Sequence, residues 1–188
     1  MQKSIGKEDT IIVPMPVLII GTYDKNGVPN AMNVAWACQS DLDAITIFVS
    51  RHKTTENLML KKEFTVAFAT KDTVVASDYF GVESGHHINK IEKAGFHAVK
   101  AEHVDAPIIT EYPVTLECKM TDFIDEGTAY RVIGKVVNVV AEESVLTNGK
   151  VDLGKMQAIC YDSTSHAYRI IGEAVGQGFH DGLALKGK

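Results

Sequence analysis

Val17-Leu18-Ile19-Ile20-Gly21-Thr22-Tyr23, the turn Asp24-Lys25-Asn26-Gly27, and the return Val28-Pro29-Asn30-Ala31-Met32-Asn33-Val34-Ala35-Trp36-Ala37-Cys38-Gln39-Ser40 together decide the fold. The first run is apolar and rich in strand-forming residues, so it reads as a strand. Asn26-Gly27 readily takes positive φ, which predicts a hairpin. Residues 28–40 return as one long strand, and Asp43 to Ser50 reads as a third. A helix is predicted over about 54–62, a strand over Phe64 to Ala69, and two or more short helices over 73–95, the last ending at Gly95. Val114 to Ile124 and Tyr130 to Glu142 read as later strands, and Asn148-Gly149 as a turn.

Strands joined by hairpins, with helices bunched between them, predict a mainly β protein with helical insertions, an antiparallel barrel and not a Rossmann sheet. The chain carries no P-loop and no G-x-G-x-x-G; Gly172-Glu173-Ala174-Val175-Gly176-Gln177-Gly178 lacks the spacing. No repeat, low-complexity segment or linker interrupts it, so one domain over residues 1–188 is expected, with a helical insertion at about 73–95.

Arg51-His52-Lys53-Thr54-Thr55 carries the strongest functional signal. Two permanent cations and a histidine sit where the helix begins, a position that disfavours cations by roughly a few tenths of a kcal/mol each. A bound anion reverses that sign. Backbone N–H groups, two hydroxyls and two cations describe a phosphate seat. A solvated basic turn capped by Thr54 or Thr55 describes the same residues equally well.

On the second strand, Asn30, Met32, Val34, Trp36 and Cys38 share one face, and Asn33, Ala35, Ala37 and Gln39 the other. The small Ala35 and Ala37 leave room for a flat ligand, to which Asn30, Asn33 and the strand backbone would bond. A packed barrel wall with Trp36 in the core is the competing and favoured reading for Trp36 alone. Lys90 falls in a predicted helix from His86 to Ala94 and, on residue type, reads as a surface lysine. His86 and His87 are adjacent and project about 100° apart on a helix, which disfavours chelation, and no metal site is expected. Cys160 has Asp162, Ser163, Ser165 and His166 near it in sequence, but nothing there specifies a triad. Glu142-Glu143 and Asp125-Glu126 read as solvated turns. A phosphate seat and a ring platform without acid–base machinery suit a redox cofactor that brings its own chemistry.

The bulk properties fit. Of 188 residues, 45% are apolar and 23% charged, as in an ordinary globular protein, and the net charge of −5 argues against nucleic acid as partner. Three widely spaced cysteines signal neither zinc nor a disulfide framework; Cys38 and Cys118 lie in strand patterns and are expected to be buried thiols. The apolar run from Ile11 to Ile20 is broken by Pro14 and Pro16, too short for a membrane span and unlike a signal peptide, so a cytoplasmic location without membrane association is expected.

The chain resembles the flavin reductase-like, FMN-binding split-barrel family, in particular its flavoredoxin branch. The resemblance runs through Pro14-Met15-Pro16-Val17, Gly21 to Asn30, Ala35-Trp36, Arg51 to Asn57, Asp78-Tyr79-Phe80-Gly81-Val82-Glu83-Ser84-Gly85, Lys90, Leu116-Glu117-Cys118, Tyr168 to Gly172, and Val175-Gly176-Gln177-Gly178-Phe179. It implies a Greek-key split barrel that binds FMN non-covalently in a homodimer. It implies that Arg51, Lys53, Thr54 and Thr55 hold the phosphate, and that Ser50 is among the cofactor-binding residues. Asn30 and Trp36, with backbone near Asn33 and Ala35, would contact the isoalloxazine, and Lys90 would reach the cofactor. His52 and Tyr130 receive no role. Three functions stay open: a reductase using NAD(P)H, an electron carrier reduced by a redox-protein donor, and a flavin-binding module without turnover.

Overall fold

The computed structural model describes residues 2–7 and 12–186. After the two-residue strand β1 (Met15–Pro16), β2 (Leu18–Tyr23) and β3 (Pro29–Val34) form the expected hairpin. Asp24 Oδ1 accepts the N–H groups of Asn26 and Val28 at 2.8 and 2.9 Å. Only Gly27 takes positive φ in that turn. β4 (Ala37–Asp41) and β5 (Ala44–Val49) follow, then helix α1 (Lys53–Lys61) and β6 (Glu63–Phe68). The helices α2 (Val74–Val82) and α3 (Lys90–Lys93) precede β7 (Ala98–Lys100) and β8 (Pro107–Ile109). The long hairpin β9 (Val114–Asp125) and β10 (Tyr130–Ala141) comes next. Short β11 (Leu146–Thr147), β12 (Lys150–Val151) and α4 (Leu153–Met156) lead to the hairpin β13 (Ile159–Asp162) and β14 (Ala167–Ile170).

Seven strands pair in the order β3-β2-β6-β9-β10-β5-β4, every pair antiparallel. The two edge strands, β3 and β4, are consecutive in the chain, so Ala35-Trp36 is the join at the seam of a split barrel. This corrects the expected single strand over 28–40. Val34 pairs with Leu18 of β2, whereas Ala37 pairs with Ile47 of β5, and one flat strand cannot keep both partners. The two-residue alternation ends at this corner, and two expectations fail with it. Trp36 is 60% exposed instead of lying in the core, and Cys38 is exposed instead of buried.

Leu18, Ile20, Met32, Val34, Ile45, Ile47, Val49, Phe64, Val66, Cys118 and Val132 fill the barrel, and Leu58 of α1 packs into the same core. Ile19 of β2 and Val17, just before it, are buried on the outer face with Phe80, Ile91, Ile109 and Tyr112. β2 is therefore covered on both sides, which explains its unbroken apolar run. At Gly134 a Cβ would collide with the Phe64 ring, and the β9–β10 register shifts beside it. The barrel can therefore turn its sheet there only around a glycine.

α3 is shorter than the predicted His86–Ala94 helix. Asn89 caps it by accepting the Glu92 N–H at 3.3 Å, which leaves His86 and His87 in the preceding turn. Gly95 closes it at φ 72, as the sequence suggests. Among the described residues no helix is long and apolar enough to cross a membrane.

Candidate functional site

The functional groove lies where α1, α2 and the turn before α3 meet β3 and the barrel seam. Two cavities, of about 190 and 450 Å³, form it. They share Met32, Asn33, His52, Gly81 and Val82 as walls, so they run into each other.

The smaller cavity is lined by Asn30, Lys53, Thr54, Gly85 and Lys90. Here α1 begins, with His52 and not a threonine as N-cap residue. The Thr55 hydroxyl is used locally: it accepts the His52 N–H at 2.8 Å and reaches the His52 and Ser50 carbonyls at 2.6 and 3.2 Å. Thr54 Oγ1 accepts from Asn30 Nδ2 at 2.8 Å, which ties β3 to the helix start. Lys53 Nζ lies 3.3 Å from Asp24 Oδ2, so the hairpin turn holds that cation beside the cavity. The N–H groups of Lys53 and Thr54, in the first turn of α1, have no protein acceptor among the described residues.

Lys90 departs most from its reading on residue type. It is 5% exposed, and its Nζ donates to the Phe80 carbonyl at 2.8 Å. Burial lowers its pKa to about 8, with Glu83 acting in the opposite direction. A buried ammonium with one protein acceptor facing a cavity is poised for an anion. The shortened α3 explains the error, because Lys90 is its first residue and turns inward against α2. Gly85 permits the close approach: a Cβ there would overlap Asn30 Oδ1.

The larger cavity is lined by Asn33, Ala35, Trp36, Ser50, Asp78, Tyr161, His166 and Tyr168, among others. Asn33 Nδ2 donates to the Ser77 carbonyl of α2 at 2.8 Å. The Ala35 and Trp36 carbonyls accept the Ala37 and Phe48 N–H groups at 3.0 and 2.9 Å, which fixes the seam. The indole thus stands at the groove mouth. Tyr168 donates its hydroxyl to Asp78 Oδ1 at 2.7 Å; burial first, and then that bond, push its pKa up to about 12.

Asn30, Lys53, Thr54 and Lys90 therefore meet in one cavity, and Asn33, Ala35, Trp36 and Ser50 in the other. Arg51 and Thr55 line neither. The Arg51 guanidinium lies 5.7 Å from the centre of the Tyr130 ring. Sequence reasoning missed the far wall formed by β13 and β14. The turn signal Asp162-Ser163-Thr164-Ser165, flanked by Tyr161 and Tyr168, could have revealed it as a hairpin. Cys160 faces a separate cavity with Val13, Pro14 and Arg169, while Asp162 binds Ser165 and Arg169, so no triad forms. Burial pushes the Cys118 thiol up to about 12, with the Glu117 carboxylate adding to it.

An antiparallel split barrel whose seam opens on a groove, cationic at one end and aromatic at the other, defines a class of ligand-binding β protein. A family model for the flavin reductase like domain matches residues 11–167, and the chain belongs to that family. The flavoredoxin of Desulfovibrio vulgaris (Miyazaki F) is 31% identical, with a TM-score of 0.90 over 97% of this chain and 100% of that one. The flavoredoxin from Methanosarcina acetivorans is 26% identical, with a TM-score of 0.90 over 98% and 100%. These two matches place the chain in the flavoredoxin branch. Nitrilotriacetate monooxygenase component B from Bacillus cereus shares the fold at 21% identity, with a TM-score of 0.83 over 94% and 99%.

Proposed function

We propose that the protein binds FMN in this groove and transfers electrons through it between NAD(P)H or a redox-protein donor and an acceptor. The observation that carries the proposal is the convergence of Lys53, Thr54, Asn30 and the buried Lys90 on one small cavity at the start of α1. The donor set suits a single phosphate: free N–H groups of Lys53 and Thr54, the Thr54 hydroxyl and two cations. The absence of a Cβ at Gly85 keeps that space open. One compact phosphate seat favours FMN over FAD.

Asn33, the backbone of Ala35 and Trp36, and Ser50 would orient the isoalloxazine in the larger cavity. Arg51 would act from outside the groove, through its contact with Tyr130. Thr55 would act by holding the N-cap that presents the free N–H groups. Bound FMN supplies hydride and single-electron chemistry that no side chain provides. Lys90 would hold positive charge against the phosphate end in a desolvated site, where such an interaction is strong.

A homodimer fits the rest of the surface. An apolar cavity of about 570 Å³ opens at one end of the barrel between Leu18, Phe68, Leu116, Val136 and the β4–β5 hairpin, where Leu42 is 94% exposed. A second copy would cover that mouth and the β4 edge. Light scattering of the FMN-loaded protein tests this, and a monomer would refute it.

Anaerobic stopped-flow mixing with NADH and with NADPH tests the electron donor. Rapid bleaching of the flavin absorbance supports a nicotinamide-dependent reductase. Bound flavin that neither nucleotide bleaches supports a carrier reduced by a partner protein.

A further inference from the structure

After β14 the chain is anchored once more and then leaves the barrel. Ile171 donates its N–H to the Ala158 carbonyl at 3.0 Å and packs against the cluster of Val114, Val145, Met156 and Ala158. Every residue from Gly172 to Lys186 is exposed. Internal bonds nonetheless shape this segment. Asp181 Oδ2 accepts the Gln177 N–H at 2.8 Å, and the Gln177 carbonyl accepts the Asp181 N–H at 3.1 Å. The 3-10 helix Asp181–Leu185 follows, and Phe179 sits in the turn before it at φ 61.

The segment has the composition of a contact surface. Val175 and Phe179 are fully exposed, and Leu183 and Leu185 are more than half exposed. Between Val175 and Leu185, Asp181 is the only aspartate, glutamate, lysine or arginine, and its carboxylate is engaged by the Gln177 N–H and the His180 ring. Large apolar side chains so exposed in one short stretch mark an interaction site.

The same chain carries a cavity that suits it. The apolar barrel mouth encloses about 570 Å³, and Asp43 is the only charged residue that lines it. It shares no lining residue with either cavity of the groove. The segment does not fill its own mouth, since it is exposed from end to end. Its root nevertheless lies at the rim: Phe68 packs against the same cluster as Ile171 and also lines the mouth. Two copies facing each other across their mouths about a two-fold axis therefore set each root beside the other's mouth. From Ile171 to Phe179 the chain can span up to roughly 26 Å, enough to cross such an interface. One closed, symmetric contact then covers both mouths and both segments, and each Phe179 removes about 150–250 Å² from water.

We infer that residues 173–185 form an arm exchanged between two copies of this chain, with Phe179 seated in the partner's barrel mouth. The inference rests on the homodimer reading and is independent of FMN.

Light scattering and sedimentation across a dilution series test it. The wild type should be a dimer. F179S, a change at a fully exposed side chain of the single chain, should raise the dimer dissociation constant at least tenfold, as loss of a buried aromatic anchor does. A chain ended after Gly172 should raise it further. In a C160A background, F179C treated with a bismaleimide should give a covalent dimer, because Cys38 is exposed and lines the mouth whereas Cys118 is buried. Adding C38A should abolish that product, and peptide mapping should join the new thiol to the partner's Cys38. A monomeric wild type would remove the homodimer reading itself. A wild-type dimer that F179S and the truncation leave equally tight, a cross-link confined to one chain, or the lack of any Cys38-dependent covalent dimer would overturn the exchanged arm alone.

Discussion

Binding of FMN should weaken as pH rises from 7 to 9, and Lys90 should be the cause. Burial lowers its pKa to about 8 from the ordinary lysine value of 10.5. A phosphate in the same cavity offsets that burial and returns the pKa toward its ordinary value, so binding takes up a proton around and above pH 8. The sign follows: affinity is highest where Lys90 is already charged and falls as pH rises through about 8. Full restoration gives a loss of about tenfold between pH 7 and pH 9, or about 1.4 kcal/mol. The phosphate is doubly ionised across most of this range, since its second pKa is about 6. Fluorescence titration of FMN at a series of pH values, with riboflavin in parallel, measures the slope. K90M should lose affinity at pH 7 and flatten the profile, and riboflavin should show little slope. A flat wild-type profile, an undiminished slope in K90M, or an equal slope for riboflavin would refute the reasoning. The same lowered pKa makes the ligand-free fold more stable as pH rises from about 8 to 10.5, by at most about 3 kcal/mol, because there the unfolded chain binds the proton more tightly.

K53A should weaken FMN by roughly ten- to a hundredfold and riboflavin much less, the worth of a charge-assisted hydrogen bond. R51A should cost less than K53A in the same titration, because its guanidinium sits over Tyr130 outside both cavities. G134A should destabilise the protein by about 1–3 kcal/mol in urea unfolding, since the new methyl meets the Phe64 ring. C160A should leave FMN binding and reoxidation intact, because its side chain faces a different cavity; loss of turnover with FMN still bound would reinstate a thiol mechanism.

Much of the barrel was legible because its signals are local. The Asp24–Gly27 turn and the apolar run of β2 specify the first hairpin, and the helix start at Lys53 follows from the change of periodicity after Val49. The seam was not legible. Residues 28–40 alternate like one strand, and only the exchange of partners from β2 to β5 breaks them at Ala35-Trp36. That break exposes Trp36 and Cys38. Lys90 was misread on residue type because its burial depends on α2, ten residues earlier, which supplies the Phe80 carbonyl. The β13–β14 hairpin carries a local turn signal, but its place on the groove wall depends on pairing of β1 with β13, more than a hundred residues apart, which no local pattern announces.

The central claim is that this groove holds FMN. Purified protein, titrated with FMN, freed of excess ligand and then denatured, should release one FMN per chain, identified by chromatography and mass. Before denaturation it should be yellow, and K53A and K90M should each hold less. Protein that stays colourless and retains no added FMN would contradict the account.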